Sequence, residues 1–256
     1  MIPLPQPAKT VREAENKGVF EIEALYPGYG VSVGNTLRRV LLSSLQGAAI
    51  TQVKIKGVAH EFSAIPGVTE DVVTLLLHLK QVRFRMFSDE PQTVTLKIKG
   101  EKKVKAGDIK TTSEVQVINK DMAIATLQDK QAELDMELRI ERGTGYVAVE
   151  ARKGEKQEIG AIALDAAFSP VRRVSFRVEA MRVGERTDFD RLILEIETDG
   201  ALSPTAALAQ AIETLQVQFQ RIGEGLNRED AQPSEEKKEK KAKKTTVTKK
   251  RVSKKK

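Results

Sequence analysis

Gly34-Asn35-Thr36-Leu37-Arg38-Arg39-Val40-Leu41-Leu42-Ser43-Ser44-Leu45 is the stretch that orders the rest of the chain. On a helix at about 100° per residue, Leu37, Val40, Leu41, Ser44 and Leu45 share one side. That is an ordinary core stripe. Arg38, Leu42, Arg39 and Ser43 share the other side, where a large apolar residue sits between two guanidinium groups. Arg is enriched at interfaces and at their hot spots, so this side reads as a protein-binding face. A solvated basic face with a Leu tucked under a neighbouring loop fits the same spacing.

Outward from this stretch the chain alternates with period two. Residues 19–25 read as a strand, closed by the turn cluster Tyr26-Pro27-Gly28-Tyr29-Gly30. The helix follows, with Asn35 expected as its N-cap. Residues 50–55 alternate again, and Val68 to Leu79 reads as a second helix with Thr69 as its cap. Strands are expected at 82–87, 93–99, 114–118, 123–127, 134–141, 146–151 and 159–164, and two long ones at 173–183 and 191–198. Gly200 and Pro204 announce a last helix, in which Leu208, Ile212, Leu215, Phe219 and Ile222 alternate four and three residues apart. That seam packs either on its own domain or on a second copy.

The class is α+β. Residues 1–46 and 170–226 are expected to fold together as a sheet with helices, interrupted by an inserted β-rich domain at 47–169. Residues 227–256 form a Lys-rich tail.

The chain has 256 residues, 40% hydrophobic and 31% charged, enough for a sizeable core. No apolar run is long enough to span a membrane, and the start Met-Ile-Pro-Leu-Pro-Gln-Pro has no signal-peptide pattern. Cysteine is absent, which excludes disulfides and thiolate catalysis. The net charge of +7 is uneven, because residues 227–256 carry 13 Lys and Arg against 5 Asp and Glu. The remainder is nearly neutral. A tail so poor in apolar residues is expected to be disordered. Lys243, Lys244, Lys249, Lys250 and Arg251 are its candidates for nonspecific DNA or RNA contact; a solubilising spacer is the other reading.

Catalytic vehicles are few. His60 and His78 lack metal-ligand spacing to each other. Asp188 and Asp190 flank Phe189 without further support for a paired-acid site. Gly28, Gly30 and Gly34 follow a strand and open a helix, but their G-x-G-x-x-x-G spacing is one residue too long for a dinucleotide fingerprint. No acid occurs between Glu23 and Glu61 to hold a ribose. The glycines are expected to serve a tight turn.

The run Tyr29-Gly30-Val31-Ser32-Val33-Gly34-Asn35-Thr36-Leu37-Arg38-Arg39-Val40-Leu41-Leu42-Ser43-Ser44 resembles the signature of bacterial-type RNA polymerase α subunits. Further blocks keep that family's order: Gly57 to Ser63, Gly67 to Val72, Leu76 to Lys80, Arg142 to Val147, Asp165 to Val171, Val178 to Ala180, Arg186 to Asp190 and Glu197 to Gly200. The resemblance covers about residues 18 to 222.

It implies a scaffold: two α chains dimerise, one then holds the β subunit and the other holds β′. Catalysis would belong to the large subunits, with Mg²⁺ expected on β′ and no cofactor in this chain. By the same resemblance Arg38, Arg39, Leu42 and Lys80 would contact β, and Leu164, Val171 and Arg191 would contact β′. Leu37, Val40, Leu41, Leu208, Ile212, Leu215 and Phe219 would belong to the dimer interface. A σ factor and a small ω-type subunit would be further partners, DNA would be reached through the complex, and the location would be the cytoplasm of a bacterium or a plastid. The family's small C-terminal DNA-binding domain is expected to be missing, since the sequence runs into the Lys-rich tail after Gly225.

Two other function classes fit the sequence less well. A free-standing nucleic-acid-binding protein is opposed by the near-neutral body. An independent enzyme would need a pocket of perturbed acids that the sequence does not display.

Overall fold

The computed structural model describes residues 2–58, 60–152 and 160–226. The tail expected at 227–256, with its candidate Lys243, Lys244, Lys249, Lys250 and Arg251, lies outside them.

In chain order the elements are β1 (Lys9–Ala14), β2 (Lys17–Leu25), α1 (Tyr29–Ser43), β3 (Gln46–Ile55), α2 (Val72–Gln81), β4 (Phe84–Met86), β5 (Gln92–Lys99), β6 (Lys102–Lys105), β7 (Val115–Val117), β8 (Ala123–Leu127), β9 (Glu133–Thr144), β10 (Tyr146–Val147), β11 (Ala161–Ala163), β12 (Ala166–Ala167), β13 (Val171–Val183), β14 (Arg186–Thr198) and α3 (Pro204–Leu226). The mixed, sheet-rich α+β class is as the alternation implied. Among the described residues no helix is long and apolar enough to cross a membrane.

Two sheets dominate. An antiparallel four-stranded sheet runs β1-β2-β14-β13 and gathers both ends of the chain. Its inner strand β2 alternates as its sequence alternates, with Phe20 and Ile22 buried and Glu21 and Glu23 part-exposed. The second sheet runs β5-β9-β3-β4-β7, with β11 also paired to β3. Its central strand β3 is buried from Ala48 to Val53, on both faces. One face of α2, with Val72, Leu75, Leu76 and Leu79, closes that core together with Leu96, Ile124, Leu134, Met136 and Leu138. At roughly 1.5–3 kcal/mol for each fully buried aliphatic side chain, this is the larger store of hydrophobic stabilisation.

The chain leaves the first sheet after α1 and returns to it at β13, and the two crossings touch. Gly47 has no side chain, and the Phe168 carbonyl oxygen occupies the space a Cβ would need. Arg85 adds a tie, donating from Nε to the Ala201 carbonyl at 2.8 Å. Arg83 Nε lies 3.8 Å from Asp199 Oδ2. Burial pushes the Asp199 carboxyl above, and the Arg83 guanidinium below, their ordinary values.

Several expected boundaries are corrected. Helix α1 starts at Tyr29, more than a turn before Asn35, and its N-cap position is Gly28 in the left-handed region at φ 83°. Asn35 is therefore interior, and Tyr29 and Gly30 belong to the helix rather than to a turn. Helix α2 is capped by Asp71, which accepts from the Thr74 N–H at 2.9 Å. Thr69 instead donates to the Thr126 carbonyl through its N–H and its hydroxyl, joining the edge of β8.

The strand expected at 146–151 lasts two residues before a helical turn at Val149–Arg152. Asp165 accepts the Val149 N–H at 3.0 Å and so draws the chain out of the ladder. The strand expected at 159–164 is Ala161–Ala163. Strands β1 and β6 were not expected. Every residue of β1 is exposed, and only Val104 of β6 is buried, so neither leaves a hydrophobic period to read.

Candidate protein-interaction surface

The surface starts with how α1 is held. The helix has no side-chain cap of its own and no acid in its first turn. Asp190, on β14, supplies both: its Oδ2 accepts the Gly28 N–H at 2.9 Å and the Gly30 N–H at 3.0 Å. A carboxylate at this end satisfies orphan donors and complements the helix dipole. Gly30 and Gly34 then let the helix lie close on the sheet. A methyl group on Gly30 would come within 2.8 Å of Val178 Cγ1, and one on Gly34 within 2.6 Å of Phe176 Cδ2. These two glycines thus serve close packing; only Gly28 serves the turn.

With the helix seated, its two sides separate. Leu37, Leu41 and Leu45 are buried and Val40 is half-buried. Arg38 and Arg39 are exposed, and Leu42 between them is half-buried. Neither Arg forms an ion pair among the described residues. The two sides of the helix fall as the spacing divides them, and Leu42 is partly sheltered. Ser43 Oγ donates to the Arg39 carbonyl at 2.7 Å and finishes the helix on this face.

Lys80, in the last turn of α2, does not point free. Its Nζ lies 2.9 Å from Asp165 Oδ2. Asp165 Oδ1 accepts the Val149 N–H at 3.0 Å. The Lys80 hydrogen bond first, then the Val149 N–H, hold the Asp165 carboxyl below the ordinary carboxylate range. Desolvation first, then the neighbouring Asp165 charge, push the Tyr146 phenol upward.

The other expected contact residues are dispersed. Leu164 and Val171 are buried within the chain. Arg191 sits among three carboxylates of the four-stranded sheet: Nε is 2.9 Å from Glu21 Oε1, and its terminal nitrogens are 3.8 Å from Glu23 and 3.9 Å from Glu179. Leu37, Leu41 and Leu208 are likewise enclosed by their own chain. Along α3 the seam then opens: Ile212 and Leu215 are half-buried, while Phe219 is 63% and Ile222 61% exposed.

The residues considered for catalysis have local work. Asp188 pairs with Arg186 through two hydrogen bonds of 3.0 and 2.7 Å, and Arg186 lies over the rings of Tyr26 and Phe189. Asp190 caps α1, so the two acids do not form a pair. His78 Nδ1 is 2.8 Å from the Ile124 carbonyl oxygen, and His60 Nδ1 is 3.2 Å from Ser63 Oγ. Among the described residues no three His, Asp or Glu side chains are grouped to hold a metal ion.

Sequence reasoning missed Asp190 as the anchor of α1 and Asp165 as the partner of Lys80. Spacing carried no signal for any of them, because each acts on a partner distant in the chain.

Comparison with known proteins adds to this geometry. Residues 53–169 match the model of the RNA polymerase Rpb3/RpoA insert domain. The chain is 50% identical over 202 residues to the DNA-directed RNA polymerase subunit alpha of Nitratidesulfovibrio vulgaris, covering 79% of this chain and 58% of that protein. It is 48% identical over 203 residues to the subunit of the same name from Symbiobacterium thermophilum, covering 79% and 64%. Against that of Thermus thermophilus it is 50% identical over 215 residues, covering 83% of this chain and 68% of the relative. The chain thus spans roughly three fifths of the length of the first two of these relatives.

Proposed function

The chain belongs to the family of DNA-directed RNA polymerase α subunits, and we propose that it acts as the dimeric scaffold on which the polymerase core is assembled. One observation carries the reading: the outer side of α1 presents two unpaired guanidinium groups around a half-buried Leu42, on a helix pinned to the sheet from behind. A rigid cationic face with an apolar centre suits capture of a protein partner.

In this reading residues 1–46 and 170–226 form the assembly part and 47–169 the insert. Arg38, Arg39 and Leu42 contact the β subunit, with Lys80 on the same side. Arg191 and the surface around the buried Leu164 and Val171 face β′. The chain dimerises through the far end of its α3 seam, where half-buried Leu215 is followed by exposed Phe219 and Ile222. A two-fold dimer offers each face twice, so the first large subunit to bind must obstruct the equivalent face on the second copy. Nucleotide joining and its Mg²⁺ belong to the large subunits, DNA is reached through the complex with its σ and ω-type partners, and the assembly works in the cytoplasm.

The test is co-purification of the tagged full chain with co-expressed β. The unmodified chain is expected to retain β. Arg39→Ala is expected to stay dimeric in sedimentation yet lose about thirtyfold or more in β affinity, the effect of truncating an interface hot spot. Wild-type-like retention of β by Arg39→Ala would overturn the assignment of this face.

A further inference from the structure

We propose that the cleft between the second sheet and the loop leading into α3 binds a small phosphate ester with a planar ring, of the size of a nucleoside monophosphate, through Arg85, Arg142 and Phe87. The proposal is independent of the assembly reading above and adds a ligand site to the chain.

The cleft measures about 480 Å³, inside the range of small-molecule sites, roughly 300–1,000 Å³. Its floor is apolar: Ala48 of β3 and Phe84 and Met86 of β4 are buried. Pro170, Ala201, Ser203 and Ala206 make the facing wall. Among the described residues, Arg85 and Arg142 are the only charged side chains of the lining. Arg85 forms no ion pair among those residues. Its Nε and one terminal nitrogen donate to the Ala201 and Gly200 carbonyls at 2.8 and 3.3 Å, which anchors the side chain and leaves its positive charge unanswered. Arg142 meets Asp89, whose side chain is 88% exposed, and so exposed a carboxylate competes weakly with a ligand. The first turn of α3 contributes shape rather than charge. Its Ala206 N–H is accepted by Ser203 Oγ and its Thr205 N–H by Glu13 Oε1, each at 3.2 Å.

Strand register sets the spacing of these groups. Ala48 pairs with Arg142 on one side and with Phe84 on the other. Arg142 and the start of β4 therefore stand two strand spacings apart, roughly 10 Å, a gap that two arginine side chains can close on one anion. Phe87 continues β4, donating its N–H to the Glu114 carbonyl at 2.9 Å. Arg85 and Phe87 thus share a face, about 7 Å apart along the strand. That offset suits a phosphate and a ring joined through a sugar. Guanidinium groups pair with phosphate bidentately, and flat rings stack on exposed aromatic faces. Phe87 is 60% exposed, and its place beside two cations selects a ligand with a flat body over a bare anion. The chain's own tail, with 13 Lys and Arg against 5 Asp and Glu, carries the same sign as the cleft and is ruled out as its occupant by charge.

The experiment is calorimetric titration of the full-length chain with adenosine monophosphate, with adenosine and inorganic phosphate as partial probes. The nucleotide is expected to bind at a single site per chain, and each partial probe at least about tenfold more weakly, because each makes only part of the contacts. Phe87→Ala is expected to weaken the nucleotide about fivefold or more and to leave inorganic phosphate unchanged. Arg142→Gln is expected to weaken both about tenfold. Phe87 is exposed and Arg142 meets only an exposed carboxylate, so both variants should keep the melting temperature of the unmodified chain. Both also keep the Lys-rich tail, so nucleotide binding that survives both substitutions lies elsewhere on the chain and would overturn the proposal. Absence of nucleotide binding, or inorganic phosphate binding as tightly as the nucleotide, would overturn it as well.

Discussion

Helices α1 and α2 are built in opposite ways. Helix α2 carries its own instructions: Asp71 caps it by accepting the Thr74 N–H, Val72, Leu75, Leu76 and Leu79 form its buried stripe, and His78 and Lys80 stand in its basic last turn. Helix α1 borrows. Its cap comes from Asp190, 160 residues away from Gly30, and its interior holds two glycines that each weaken a helix by about 1 kcal/mol relative to Ala. Those glycines let it approach Val178 and Phe176 where a methyl group would collide. The contrast teaches where precision is invested. Helix α2 has mainly to fill a core. Helix α1 has to present an outer face at a fixed height above the sheet, so its position is dictated by the sheet rather than by its own sequence.

Three substitutions bear on that contrast. Gly34→Val should have the largest effect, because its Cβ would sit 2.6 Å from Phe176 Cδ2. Overpacking of this kind costs about 1–3 kcal/mol, read as a drop in melting temperature, and it should also lift the Arg38–Arg39 face and reduce β retention. A variant that melts and binds as the unmodified chain does would show that α1 floats.

Asp190→Ala comes next. It leaves the Gly28 and Gly30 N–H groups without their acceptor, at about 1–2 kcal/mol. Amide exchange should accelerate at the start of α1 and not in α2. Equal acceleration in both helices would dissolve the distinction between a borrowed cap and an owned one.

Asp71→Ala should be mildest, fraying only the first turn of α2. The Thr74 hydrogen bonds hold the Asp71 carboxyl below its ordinary value of 3.8. Its stabilising contribution is therefore present above that value and is lost as pH falls through the lower folded value. Melting temperatures of Asp71→Ala and the unmodified chain should differ at neutral pH and converge in acid. A difference that persists undiminished in strong acid would remove Asp71 from the role of cap.

The same contrast explains what the sequence made legible. The α2 stripe and both sides of α1 follow from residue spacing, which is local. Strand β2 announces itself because one of its faces is buried and the other is not. The true start of α1 was hidden, since Asn35 is a good cap by type and nothing near Gly28 reveals that Asp190 will serve instead. Strand β1 was hidden because an edge strand with every residue exposed has no period. The enclosure of Leu37, Leu41, Leu164, Val171 and Leu208 within the chain was hidden too, because a family resemblance assigns positions to an interface without distinguishing a side chain that touches the partner from one that supports the surface beneath it. Asp165 lies in a stretch that resembles the family, but its relation to Lys80 exists only after the turn at Val149 is in place.

The touching crossings at Gly47 and Phe168 have a consequence for how the chain reaches its fold. Strands β2 and β14 must pair across more than 160 residues, a separation that would ordinarily make their contact entropically expensive and slow. Once the segment between the crossings has folded, its two ends stand side by side, held there by the Gly47–Phe168 approach. The tether joining α1 to β13 is then effectively a short loop. The most non-local pairing in the molecule becomes a nearly local event, conditional on the middle of the chain having folded first.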